Sequence, residues 1–356
     1  MRKLQRHRRQ PQQQRKRQQG YVLPITIAIL AIVLVGATFV AQRANLSVKL
    51  AQQEVARADQ QLQIDDLQQK MLFWLSTQPR QDHRLGPVEQ NLRFDGTRYV
   101  IKDPVAGDIA VSLQDAKGLV GLRLLTKQQF GRLIASFGVS PDEADTLQDV
   151  FKDFEDPDNL RRLNGAEADD YRLQNLPPPR NAQVVTLSEV QAMPGWRDYA
   201  ALWKIDGLLD HSTIGKGEQL NLQTATWRTL VTMAGADVAT ARELVARREA
   251  GEPLSNELLY SLNAQAGGQG TALDIGGRTS SLVSETVIIT LQPSKAAWAL
   301  RLTVLHTPVS DLAPWRIVTS QVIERNPIEN NNNLPILPEL DPNVDARYRG
   351  RGALPF

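Results

Sequence analysis

The chain begins with a basic leader followed by a long apolar segment, and this segment constrains the fold more than any other feature. The twenty-two residues from Tyr21 to Gln42 include no charged side chain. As a helix they would span roughly 33 Å, about the hydrocarbon thickness of a bilayer. The first twenty residues hold eight Lys and Arg and no Asp or Glu. Because positive flanks stay in the cytoplasm, the sequence predicts a single-pass inner-membrane protein with a cytoplasmic N-terminus and a periplasmic C-terminal domain.

The junction between leader and apolar segment differs from that of a secretory signal. A secretory signal has a shorter apolar run, with its small-residue cleavage site after the run. Here the small residue, Gly20, precedes the run, and Pro24 is the fourth residue after it. This order resembles the type IV prepilin signal, which a prepilin peptidase cuts after the glycine. The resemblance implies cleavage between Gly20 and Tyr21 and methylation of the new N-terminus, whereas an ordinary signal anchor is the alternative.

The fifth residue after the predicted cut is Ile25, where most pilins carry Glu. In a filament, that carboxylate would neutralise the terminal ammonium of a neighbouring subunit in a low-dielectric environment. A subunit with Ile cannot make this pair, so Ile25 suits a position with no subunit beyond it. In type II secretion systems, the missing acid resembles the K-type minor pseudopilin, which implies a place at the tip of the filament.

Composition and motifs exclude several classes of function. Removing the leader changes the formal net charge from +2 to −6, since eight positive charges leave. The basicity is therefore a targeting feature and indicates no nucleic-acid partner. The chain has no cysteine, its four histidines are scattered, and it lacks a nucleophile elbow, a phosphate loop and a zinc-protease motif. We do not expect an enzyme.

Periodicity predicts an α+β fold. Apolar residues at helical spacing continue from Val48 to Leu75, and Pro79 ends the pattern. Strand-like runs follow, with a predicted hairpin turning at Asp95-Gly96 and a strand at Ile109–Leu113. Strand signals return in three runs, at 287–291, 298–305 and 315–323. The predicted fold is a long N-terminal transmembrane and amphipathic helix, a pilin-like antiparallel sheet, and a large all-α domain inserted between its strands.

The inserted domain contains two segments that resemble each other at a constant offset of 97 residues. The matched pairs are Phe130 and Trp227, Leu133 and Leu230, Ile134 and Val231, Gly138 and Gly235, Ala144 and Ala241, and Leu147 and Leu244. Each segment predicts a helix, a glycine turn and a second helix, so we expect two related helical bundles. The predicted ranges are a leader 1–20, a transmembrane helix 21–43, an amphipathic helix with first strands 44–114, the helical insertion 115–275, returning strands 276–325, and an Asn- and Pro-rich tail 326–356 that predicts disorder.

Four internal motifs resemble the K-type minor pseudopilins of type II secretion systems. In chain order they are Asp115 with Gly118 and Leu122, Asp153-Phe-Glu-Asp-Pro-Asp158, Gly165-Ala-Glu167 followed by Tyr171, and Asn221-Leu-Gln-Thr-Ala225. The resemblance implies a subunit that nucleates the pseudopilus together with I- and J-type minor pseudopilins. Such a subunit would serve protein secretion across the outer membrane and contact secreted cargo. A membrane-anchored periplasmic scaffold without a filament remains an alternative.

Acidic side chains cluster in one short stretch of the insertion. Seven carboxylates lie within eighteen residues, among them Asp153, Asp156, Asp158, Glu167, Asp169 and Asp170. Hard oxygen ligands on a loop suit Ca²⁺, and the resemblance points the same way because the K-type pseudopilins bind calcium. The predicted ligands are Asp156, Asp158, Glu167 and Asp170. The alternative is a solvated acidic loop.

The segment from Asn221 to Arg248 also resembles a helix-hairpin-helix, a DNA-binding module. This favours a rival function, a minor pilin of a type IV pilus or of a DNA-uptake system. The turn reads Gly235-Ala-Asp237, however, so the second glycine of the module is missing and a carboxylate stands where a phosphate would bind. We therefore expect a protein-binding use and no nucleic-acid partner.

Overall fold

A computed structural model describes residues 22–81, 83–87, 89–103, 107–215, 219–252, 254, 282–328 and 333–340. The predicted processing site at Gly20 and Tyr21 lies outside these residues. The chain divides into two compact units, Met1–Asp59 and Gln60–Phe356.

The first unit contains most of helix α1, which runs from Val22 to Thr77. Its apolar side chains from Val22 to Val40 are exposed on all sides. The hydroxyls of Thr26 and Thr38 donate to the carbonyls of Leu23 and Val35 at 2.8 Å, which satisfies them inside the helix as a lipid environment requires. Among the described residues, α1 is the one helix that is long and apolar enough to span a membrane.

Every strand in the described part of the chain lies in the second unit. These are β1 (Arg80–Gln81), β2 (Arg84–Leu85), β3 (Leu92–Arg93), β4 (Asp95–Ile101), β5 (Ile109–Asp115), β6 (Val120–Gly121), β7 (Ser212–Thr213), β8 (Thr286–Pro293), β9 (Trp298–His306) and β10 (Trp315–Glu324). Five of them form an antiparallel sheet in the order β10-β9-β8-β5-β4. This sheet, together with α1 and the helices between β5 and β8, confirms the predicted α+β fold.

The predicted hairpin at Asp95-Gly96 is wrong. Strand β3 pairs with β2, and β4 pairs instead with β5. Gly96 adopts a φ of +83°, and the register with β5 shifts between Asp95 and Arg98. The positive φ of glycine therefore forms a β-bulge at the start of β4 and not a hairpin turn.

One face of the sheet packs on the C-terminal part of α1. The helix contributes Ile64, Leu67, Met71, Leu72, Trp74 and Leu75, and the sheet contributes residues that include Tyr99, Val111, Leu113, Ile289, Leu291, Leu302 and Val304. These sheet residues alternate along their strands with polar ones, as expected for a sheet with one apolar face. The opposite, polar face meets the helical insertion.

Part of the tail belongs to this core. Leu337 and Leu340 are buried in the same apolar cluster. The amide of Val100 donates to Pro335 O at 2.8 Å, and the amide of Leu337 donates to Val100 O at 2.9 Å. The prediction of disorder from residue 326 onwards is therefore wrong for 333–340, because apolar side chains spaced among the Asn and Pro residues cover the β4 edge of the sheet. Residues 341–356 lie outside the described part.

The insertion between β5 and β8 is helical. Its helices are α2 (Lys127–Ala135), α3 (Pro141–Glu155), α4 (Ala168–Leu173), α5 (Leu187–Gln191), α6 (Ala200–Trp203), α7 (Leu208–His211), α8 (Trp227–Thr229), a π-helical turn (Leu230–Ala234) and α9 (Val238–Glu249). The two segments that resemble each other form α2–α3 and α8–α9, with turns at Gly138 and Gly235, whose φ values are +83° and +72°.

An arginine from each hairpin donates hydrogen bonds to the other hairpin. The guanidinium of Arg132 on the first hairpin donates to Thr232 O at 2.8 and 3.1 Å. In return, Arg228 on the second hairpin donates to Ser136 Oγ at 2.8 Å. Each arginine thus binds the end of the other hairpin's first helix, where backbone carbonyls lack helical partners.

Candidate metal centre in the acidic loop

The acidic residues lie in the loop that joins α3 to α4. Helix α3 begins after the N-cap Ser140, with Pro141 in its first turn, and ends where Asp156 turns to an extended conformation. Helix α4 begins after Glu167, which is also extended. The loop therefore returns on itself and brings the end of one helix beside the start of the next.

Three of the four predicted ligands lie together. Asp156, Asp158 and Glu167 each place one carboxylate oxygen so that all three lie within 4.8 Å of one another. Asp170 is not part of this group. Its Oδ2 accepts from the Glu167 amide at 3.0 Å, and its Oδ1 accepts from Arg161 at 3.2 Å. The prediction of Asp170 as a ligand is corrected to a helix-capping role, because its position in the first turn of α4 directs its carboxylate to the free amide.

Glu167 is buried without a partner for its charge. Its exposed fraction is 7%, and neither carboxylate oxygen has a hydrogen-bond partner among the residues that the structure describes. Burial raises the pKa of Glu167, and the neighbouring charges of Asp153, Asp156 and Asp158 raise it further. Two orphaned oxygens beside two more carboxylates fit a bound cation.

An ion pair between Arg162 and Asp153 holds the loop in place. Asp153 is completely buried, and its Oδ1 accepts from Arg162 Nη1 at 2.6 Å. Arg162 also forms an ion pair with Asp156. A Cβ at Gly165 would lie 1.8 Å from Asp153 Oδ2, so only glycine allows the loop to pass this closely. Arg162 is not among the predicted site residues, although a basic pair at 161–162 inside an acidic run is a signal for such an internal counter-ion.

The donor set suits a hard cation. Asp156, Asp158 and Glu167 would hold the ion with carboxylate oxygens, which Ca²⁺ prefers. Tyr171 packs beside the cluster, and burial together with Asp153 and Glu167 raises the pKa of its phenol. The ion would supply charge neutralisation and order to the loop, with no role in bond chemistry.

The second helix of each hairpin begins with a side-chain cap. The carboxylate of Asp237 accepts from the amides of Ala239 and Thr240, both at 3.0 Å. The hydroxyl of Thr240 also donates to this carboxylate, and together with the Thr240 amide it holds the pKa of Asp237 below its usual range. In the first hairpin, Ser140 Oγ accepts from the Glu143 amide at 3.4 Å. In both hairpins a side chain of the protein therefore caps the N-terminus of the second helix.

Ile25, the residue predicted to place the subunit at the filament tip, lies in the apolar part of α1. Ile25 is 55% exposed within the first unit. Its side chain is available to a lipid or protein environment, and no carboxylate stands at this position.

These features define a class of protein. An N-terminal helix of membrane-spanning length, an antiparallel sheet packed on the later turns of that helix, and a helical insertion describe a membrane-anchored, pilin-like subunit. Residues 112–202 match the family model described as "Type II secretion system (T2SS), protein K". Over these residues the chain is similar to the K-type minor pseudopilins, which confirms the resemblance drawn from its motifs.

One solved structure is similar to most of the chain. The chain is similar to a chain in "The Crystal Structure of the GspK-GspI-GspJ complex from enterotoxigenic Escherichia coli Type 2 Secretion System". Identity is 16% and the TM-score is 0.48, and the match covers 77% of this chain and 98% of that chain. No curated protein matches the sequence.

Proposed function

We propose that this minor pseudopilin is the tip subunit of the pseudopilus and nucleates its assembly together with I- and J-type minor pseudopilins. The observation that carries the proposal is Ile25. A shaft subunit with Glu at this position can neutralise a neighbour's terminal ammonium, and this chain cannot. An end position is the place where the missing pair costs least.

The fold supports the same position. The insertion leaves the sheet between β5 and β8, two strands in its interior, and packs against its polar face through contacts such as Ser188 with Gln321 and Asp210 with Arg325. A helical filament repeats one contact from subunit to subunit, so each shaft subunit is packed on both sides. A subunit that carries so large an additional domain fits best where one side faces no neighbour. From this end of the pseudopilus it would contact secreted cargo, as a non-catalytic component.

Tip assembly requires processing. The protein would be inserted in the inner membrane with the leader in the cytoplasm, cut by the prepilin peptidase between Gly20 and Tyr21, and methylated. Mass spectrometry of the protein from membranes tests this step. The expected N-terminal peptide begins with N-methylated Tyr21 in the wild type and with Met1 in Gly20→Val. A wild-type protein that retains Met1 would contradict the proposal.

Calcium binding at Asp156, Asp158 and Glu167 is part of the proposal. Its support is the buried, unpaired carboxylate of Glu167 beside two further acids. A cation there would order the loop between α3 and α4, and with it the first helical bundle.

A further inference from the structure

A polar cleft lies between the sheet and the helical insertion, remote from the acidic loop. Its volume is about 300 Å³, within the lower range of small-ligand sites. The sheet supplies one wall through a cross-strand row in which Arg98 pairs with Ser112, Ser112 with Thr290, and Thr290 with Arg301. Directly opposite residues share one face, so two guanidinium groups and two hydroxyls point away from the apolar core.

The positive charges of this wall exceed the acids that could pair with them. Arg325 also lines the cleft, and it binds Asp210 through both guanidinium nitrogens, one of them at 2.7 Å. Asp210 is thereby the counter-ion of Arg325. Arg98 and Arg301 form no ion pair with any residue that the structure describes.

The two remaining carboxylates at the cleft are already paired. Asp95 faces Arg93 at 2.5 Å and Arg248 at 3.7 Å. Asp206 faces His211 at 2.6 Å and Arg228 at 3.2 Å. Neither acid is available to the row of residues on the sheet.

Arg301 differs from Arg98 because its side chain is buried. Its exposed fraction is 6%, and within the described ranges its guanidinium makes no hydrogen bond or ion pair. Burial lowers its pKa to about 10, a shift that the charge of Asp210 opposes and that of Arg325 supports. A buried, unpaired cation is costly, so an anion that enters the cleft would supply the charge that Arg301 lacks.

We propose that this cleft binds an oxyanion, with Arg301 as its main ligand. The planar fork of a guanidinium matches two oxygens of a carboxylate or phosphate, and the hydroxyls of Ser112 and Thr290 lie beside it to donate further hydrogen bonds. Arg98 adds positive charge at the open side. The anion would be either a free inorganic ion or a carboxylate carried by a bound partner. The site is independent of the tip assignment.

The test measures the melting temperature of the full chain in detergent micelles, with divalent metals chelated. Sodium phosphate is titrated against sodium chloride at equal ionic strength. We expect a saturable rise with phosphate in the wild type. Arg301→Met should melt no lower than the wild type in chloride, because it removes an unpaired charge, and should weaken phosphate binding at least tenfold. The control Arg197→Met changes an exposed arginine without a described partner and should keep the full rise.

A second titration uses N-acetylglutamate to separate the two sources of the anion. A rise with phosphate supports a free inorganic ligand, and a rise with the carboxylate alone supports an acidic partner segment. Arg98→Met changes an exposed residue that the fold does not need, and it should weaken whichever anion binds. If neither anion stabilises the wild type beyond chloride, or if Arg301→Met keeps the rise, the proposed site does not exist.

Discussion

The carboxylate of Asp115 accepts a hydrogen bond of 2.9 Å from the hydroxyl of Thr224, which lies 109 residues further along the chain. Asp115 is the last residue of β5 and is completely buried. It also accepts from Asn221 Nδ2 at 3.1 Å and from the Ser284 amide at 2.9 Å. One side chain therefore ties the beginning, the middle and the end of the helical insertion to the sheet, and joins two of the motifs that identify the family.

Replacing Asp115 should loosen the insertion. Asp115→Ala leaves several buried donors without an acceptor, and we expect a loss of roughly 3 kcal/mol or more in the free energy of unfolding. Asp169→Ala is the matched control, since Asp169 is exposed and pairs only with Arg172 on the surface. It should cost about 0.5 kcal/mol or less. Urea titrations followed by tryptophan fluorescence measure both, and equal losses would contradict the role of Asp115.

Calcium should stabilise the protein through Glu167. In chelator, Glu167→Gln should raise the melting temperature, because the variant removes a buried carboxylate whose pKa is raised by burial and by neighbouring acids. In Ca²⁺, the wild type should melt higher than in chelator, and Glu167→Gln should show little of this increase.

Two variants separate metal binding from general effects on the loop. Asp170→Asn loses part of the cap of α4 and should be less stable in both conditions, yet it should keep the calcium-dependent increase. Glu243→Gln changes an exposed acid that pairs with Arg247 and should match the wild type. Calorimetry with Ca²⁺ gives the independent readout, and absence of heat in the wild type would remove the metal site.

His306 should make stability fall in mild acid. Burial, together with the charge of Arg80, lowers its pKa to about 4. The unfolded chain binds this proton near pH 6.5, whereas the folded chain binds it only near pH 4, so stability present at neutral pH is lost as the pH falls between these values. Because His306 is half-buried, we expect a loss of about 1–2 kcal/mol. His306→Gln should flatten the pH profile over this interval, and an unchanged slope would contradict the shift.

The local sequence pattern predicted where the strands lie better than it predicted which strands pair with each other. The strands at β5, β8, β9 and β10 follow from apolar and β-branched runs, and their apolar face packs on α1 as expected. The Asp95-Gly96 pair satisfies the local rule for a hairpin, but the long pairing of β4 with β5 decides the register and converts the glycine into a bulge. The Asn- and Pro-rich composition of the tail likewise did not indicate that Leu337 and Leu340 are buried, because their burial depends on a distant edge strand.

For the acidic loop, too, the local sequence indicated the residues but not their burial or their partners. Residue type and clustering indicated the acidic loop, and three of the four expected ligands meet there. Burial of Glu167 and the internal ion pair of Arg162 with Asp153 depend on how the loop folds, which spacing cannot give. The oxyanion cleft had no local signal, because Arg98, Ser112, Thr290 and Arg301 become neighbours only through the register of four strands.

The central claim is that this subunit occupies the end of the pseudopilus. The chain has no cysteine, so a single cysteine can carry a label. Lys295, in the exposed turn between β8 and β9, is a suitable position for Lys295→Cys with a biotin label. Gold-labelled streptavidin on isolated pseudopili, viewed by electron microscopy, locates the subunit directly. We predict one label site at one end of each fibre, and labels distributed along the shaft would contradict the account.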